Sequence, residues 1–138
     1  MITITHSQLA LSSVAAALII GASALSAHGI DNDFSWVNSA KGKVLANAVG
    51  MTLYTFDKDT TGKSNCYNQC AALWPPALVS PHAISSEPFS VVERDDGYRQ
   101  WAYQGKPLYT WVKDAQTGDI SGDGVKGVWH IVTSNSGY

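Results

Sequence analysis

Between residues 43 and 133 apolar and polar positions alternate in short runs instead of recurring every third or fourth residue, which is the pattern of strands with one buried face. In Leu53-Tyr54-Thr55-Phe56 the first and third side chains point one way and the second and fourth the other, and Leu108-Tyr109-Thr110-Trp111 does the same. A β-prone run precedes each, Val44–Val49 and Arg99–Tyr103. The glycine-bearing links Val49-Gly50-Met51 and Gln104-Gly105-Lys106-Pro107 can turn the chain between them, so each stretch predicts a hairpin. Phe89–Glu93 and Gly97–Tyr103 flank the turn signal Asp95-Asp96-Gly97, which extends the later stretch into a three-stranded meander; Val128–Thr133 predicts a closing strand. Helix is confined to a turn or two in Tyr67–Trp74, ended by Pro75-Pro76. The expectation is an all-β fold, a small barrel or sandwich.

The two stretches are copies. A shift of 55 residues lays Gly50–Trp74 on Gly105–Trp129 without a gap, with seven identities in 25 positions, among them Leu53/Leu108, Tyr54/Tyr109, Asp59/Asp114 and Trp74/Trp129, and with Phe56 exchanged for Trp111. One unit of this size cannot bury its apolar face alone, so the two are expected to pack together with approximate twofold symmetry. The resulting division is a first repeat at about 43–76, a linker at about 77–88 and a second repeat at about 89–132, within one β-domain spanning 43–138; residues 25–42 form an N-terminal segment.

Both copies carry Tyr-x-aromatic-x-x-Asp, as Tyr54-x-Phe56-x-x-Asp59 and Tyr109-x-Trp111-x-x-Asp114. With Cys66-x3-Cys70-Ala-Ala-Leu-Trp74-Pro-Pro and Gly122-Asp123-Gly124-Val-x-Gly127-Val-Trp129-His130, the chain resembles the bacterial secreted-repeat family, also described as predicted lipoproteins with this motif. The resemblance covers about Lys43–Val132. It implies an exported, repetitive protein and carries no biochemical role.

The start of the chain agrees with export. Residues 1–24 contain no charged side chain, and Leu9–Leu25 is an apolar run broken by small residues, too short and too serine-bearing for a good permanent span. A signal peptide over 1–24 is expected, with cleavage between Ala24 and Ala27. There is no cysteine at that boundary to take a lipid, so no stable membrane anchor is expected after cleavage. The expected compartment is periplasmic or extracellular. Nine basic against eleven acidic residues, net charge −2, give no basic patch for a phosphate backbone, and nucleic acid is not expected as a partner.

Candidate chemistry is thin. Cys66 and Cys70 are the two cysteines, and in an exported protein a disulfide is the default, although regular helical spacing leaves the two Cβ atoms too far apart and demands a distorted turn. Soft thiolates also suit Cu(I), so a copper or redox site formed by Cys66, Cys70 and His130 or His82 is the alternative. Covalent haem would need His after the second cysteine, where Ala71 stands. Asp114, Asp119 and Asp123 lack the alternating acidic spacing of a calcium loop and read as turn formers. Gly62-Lys63-Ser64 lacks the glycine a phosphate loop requires, having Asp57 in its place. A hydrolase has only His82 and His130 as interior bases and no nucleophile turn. Most of the five tryptophans and six tyrosines should be core, but Trp101, Tyr103 and Trp111 could form an exposed stacking platform. No cofactor is implied. The function expected is non-catalytic binding or scaffolding of an envelope ligand or protein, with Tyr54, Phe56, Asp59, Trp74, Tyr109, Trp111, Asp114 and Trp129 holding the fold.

Overall fold

In the computed structural model, which describes residues 33–135, each copy of the repeat begins with an antiparallel strand pair. In the first copy β1 (Phe34–Ser39) pairs with β2 (Gly42–Asn47); β3 (Tyr54–Phe56) and a short helix α1 (Gln69–Leu73) follow. In the second, β4 (Phe89–Glu93) pairs with β5 (Arg99–Tyr103) and β5 with β6 (Lys106–Pro107); a 3-10 turn at Val125–Gly127 leads into β7 (Trp129–Ile131). The β5–β6 link, Gln104-Gly105, has positive φ at both residues, which suits the right-handed twist of the hairpin. The all-β expectation holds, built as small sheets of two, two and three strands that do not close into a barrel.

Two boundaries differ from the sequence reading. The N-terminal segment supplies β1, the counterpart of β4, so both copies contain a meander: Ala46 bridges Thr52 in the first as Ala102 pairs with Pro107 in the second. The span 77–88 also begins inside the paired region, because Trp101 donates to the Ala77 carbonyl at 2.8 Å and Val79 donates to that of Arg99 at 3.0 Å. The expected signal peptide and its cleavage between Ala24 and Ala27 lie outside the described residues.

The copies are crossed. After each tryptophan the chain leaves its own repeat and pairs with the other: β7 lies on β3, placing Ile131 opposite Tyr54, while Pro76 bridges Tyr109. Leu45 donates to the Val132 carbonyl in the first copy as Trp101 donates to that of Ala77 in the second. At the centre Tyr54 and Tyr109 exchange both backbone hydrogen bonds, at 2.8 and 3.0 Å. Each of these contacts has its image in the other copy, which defines a pseudo-twofold axis.

Strand alternation sorts the side chains into two cores. Leu53 and Leu108 go with Leu45, Trp101 and Val132, joined by Phe34 and Phe89, which stack on one another at 4.0 Å. Tyr54, Tyr109 and Trp111 go with Cys66, Trp74 and Trp129. The second set builds the site.

Candidate functional site

Each motif tyrosine reaches the aspartate of the opposite repeat. Tyr54 Oη donates to Asp114 Oδ2 at 2.6 Å, and Tyr109 Oη donates to Asp59 Oδ2 at 2.7 Å. The remaining oxygens of the two aspartates tie down the loops that follow them: Asp114 Oδ1 accepts from the Ser121 N–H and hydroxyl, and Asp59 Oδ1 accepts from the Asn65 N–H at 2.7 Å. Both tyrosines are fully buried. Burial, reinforced by the proton each gives an aspartate, holds both phenols well above their ordinary titration range. Burial likewise raises the Asp59 carboxyl, against the lowering pull of the Tyr109 hydroxyl, the Asn65 N–H and Arg94. The phenols and one oxygen of each carboxylate therefore join the repeats, and the other carboxylate oxygen holds the loop of its own repeat.

Above this pair the motif aromatics and the matched tryptophans form a four-ring column, Phe56–Trp129–Trp74–Trp111, with centroid spacings of 4.2, 3.8 and 4.0 Å. The inner rings are nearly parallel, at 3°, and each stands edge-on to the tyrosine of its own repeat. Gly122 is required here: a Cβ would lie 2.7 Å from Trp74 Cη2 and 2.9 Å from Tyr54 Cζ. The column floors a groove of about 280 Å³. Its walls come in pseudo-equivalent pairs, Cys70 with Val125 and Leu73 with Val128, so the groove lies on the axis and belongs to both repeats. Lys58 and Lys126 stand at its rim, exposed. Lys126 has φ 52° and ψ 15°, a left-handed conformation that costs a non-glycine residue roughly 1–2 kcal/mol.

Cys66 and Cys70 form the expected disulfide, with Cα atoms 5.3 Å apart. The distortion it needs falls at Asn68, whose φ of 54° separates the buried Cys66 from α1. The bridge occupies both thiolates that a copper site would use, and His130 is engaged elsewhere, its Nε2 2.7 Å from Asp57 Oδ2. His82 is exposed on the connector between repeats. The stacking platform does not form: Trp101 is buried in the leucine-rich core, Trp111 is buried at the end of the column, and Tyr103 packs edge-on to Phe89 and Trp36. These strands alternate faces in a way that divides the three rings between two cores. Of the aspartates of the second loop, Asp114 and Asp119 fix turns of their own loop, whereas Asp123 reaches out to Lys41 and the Ile131 N–H. Asp119 Oδ2 accepts from the Ala115 and Gln116 N–H groups, and Asp123 meets Lys41 Nζ at 2.6 Å.

Arg94 was invisible in the sequence, where it precedes a polar turn and reads as a surface residue. Its side chain is fully buried, donating to Ser64 Oγ, Gln100 Oε1, the Cys66 carbonyl and Asp96, with its guanidinium 4.5 Å from the centre of the Tyr67 ring. It ties the β4–β5 turn of the second repeat to the disulfide loop of the first.

Fold and site define a two-copy β-repeat domain whose signature residues hold the copies together around an aromatic groove. The family described as a secreted repeat of unknown function matches the chain twice, at residues 35–78 and 90–133, and the chain belongs to it. No curated protein and no solved structure matches it. Among the described residues no helix is long and apolar enough to cross a membrane.

Proposed function

We propose that this secreted repeat protein is a non-catalytic binding domain that works in the periplasm or outside the cell and seats an apolar ligand in the axial groove. One observation carries the reading. The polar groups of the duplicated motif are engaged by each other and by the loops that follow the aspartates, whereas its largely buried aromatic rings, with Leu73, Val125 and Val128, border a concave surface. Apolar concavities with few polar groups are the usual form of small-ligand sites. A groove on the axis also gives duplication a role, since half of its wall comes from each copy.

N-phenyl-1-naphthylamine, a neutral and flat probe, tests this. Its emission should rise on binding, and Trp74, Trp111 and Trp129 should be quenched. Leu73→Asp places a charge on the groove wall at a residue 38 % exposed, and should abolish binding without lowering the melting temperature. Binding that persists in Leu73→Asp would overturn the assignment of the groove.

A further inference from the structure

We propose that the groove selects an amphiphilic anion: a dissolved small molecule with a flat or chain-like apolar body ending in a carboxylate, sulfonate or phosphate, the anion held between Lys58 and Lys126. This rests on the groove reading above and adds the charge of the ligand. Three observations meet at the rim. First, the apolar floor and walls supply no charged group, so Lys58 from the first repeat and Lys126 from the second are the charges of the site. Second, neither lysine has an ion-pair partner among the described residues, a state shared with Lys43, Lys63, Lys106 and Lys113, so both charges are available to a ligand. The nearby aspartates are committed, Asp57 to His130, Asp59 to Tyr109 and Asn65, and Asp123 to Lys41. Third, Lys126 keeps a left-handed backbone between Gly124 and Gly127, at a place where a third glycine would be free of strain. A strained residue held by its surroundings at the edge of a concave site is a mark of use, because strain of this kind clusters at ligand clamps. The groove volume of about 280 Å³ suits one small molecule and not a lipid surface.

The test compares two probes with one skeleton: neutral N-phenyl-1-naphthylamine and 1-anilinonaphthalene-8-sulfonate, which adds a sulfonate. In the full-length protein with Lys58→Gln and Lys126→Gln together, affinity for the sulfonate should fall about tenfold, and affinity for the neutral probe should change less than twofold. Raising the salt concentration should weaken only the sulfonate in the parent protein. Lys126→Gly should raise the melting temperature while weakening the sulfonate, a combination that a purely structural lysine would not give. Unchanged sulfonate affinity in the double variant, or an equal loss of both probes, would overturn the anion assignment and leave the groove reading standing. Failure of the parent to bind either probe would overturn both. Cosedimentation with phosphatidylglycerol vesicles that depends on Lys58 and Lys126 would move the same chemistry to a membrane surface and overturn the small-molecule form.

Discussion

Tyr54 donates its phenolic proton to Asp114, 60 residues away in the other repeat, and the aspartate of its own motif, Asp59, serves Tyr109 instead. The motif is therefore a device for joining two copies, and neither copy can complete its own hydrogen bonds. Its aromatic residue supports the tryptophan column that floors the groove, so the same six-residue pattern both joins the repeats and shapes the site.

The crossed arrangement predicts a specific coupling. Tyr54→Phe should destabilise the protein by about 1–3 kcal/mol, because it leaves a buried carboxylate oxygen without its donor. In double-mutant cycles followed by urea unfolding, Tyr54→Phe should couple with Asp114→Asn and be additive with Asp59→Asn to within about 0.5 kcal/mol. Coupling to Asp59 in place of Asp114 would mean that each repeat satisfies itself.

Alkaline pH should unfold the domain. Both phenols titrate higher in the folded state than in the unfolded chain, where the ordinary value is about 10. A group with a raised folded pKa contributes stability that is complete below its unfolded pKa and is lost as pH rises. Unfolding free energy should thus be flat in this respect up to about pH 9 and fall above pH 10, with a shallower fall in Tyr54→Phe and Tyr109→Phe. Urea midpoints across that range check it; equal slopes in parent and variants would contradict it.

Much of this was legible in the sequence, and the limits are physical. The 55-residue shift located the matched Tyr, Asp and Trp because burial and hydrogen bonding fix their identities. That shift also lays Phe34-Ser35-x-Val37 on Phe89-Ser90-x-Val92, a signal that could have found β1 in what reads as an N-terminal segment. Crossing was not legible, because an alignment of two copies says which residues correspond and not which copy each one bonds. The platform of Trp101, Tyr103 and Trp111 failed for a related reason: adjacency of strands does not fix which face each ring takes. Arg94 gave no signal, since a polar turn normally leaves an arginine in water.

The disulfide should be a modest structural aid. Replacing Cys66 and Cys70 together by Ser should lower unfolding free energy by about 2 kcal/mol or less, the chain-entropy value for so short a loop. Reductant should lower the parent to the same level and leave the double variant unchanged. A loss of more than about 4 kcal/mol would show that the bridge carries the first repeat's fold.

Gly122 and Gly124 should respond oppositely in the tryptophan column. Gly122→Ala drives a methyl group into Trp74 and Tyr54 and should cost about 1–3 kcal/mol with a change in near-ultraviolet circular dichroism. Gly124→Ala meets open space and should cost only backbone strain at its φ of +80°, leaving the aromatic signal intact. An unchanged spectrum in Gly122→Ala would contradict the packing described here.

If the shared aromatic groove on the axis is the binding site, a bound probe lies against indole rings of both repeats. Intermolecular nuclear Overhauser effects between N-phenyl-1-naphthylamine and the indole protons of the protein locate the probe. Trp74, Trp111 and Trp129 line the axial groove, and Trp101 lines a separate concavity with Phe34, Pro76 and Leu78. Contacts should run from the probe to Trp74 and Trp129, one from each repeat. Contacts to Trp101 with none to that pair would move the site to the other concavity and overturn the axial assignment.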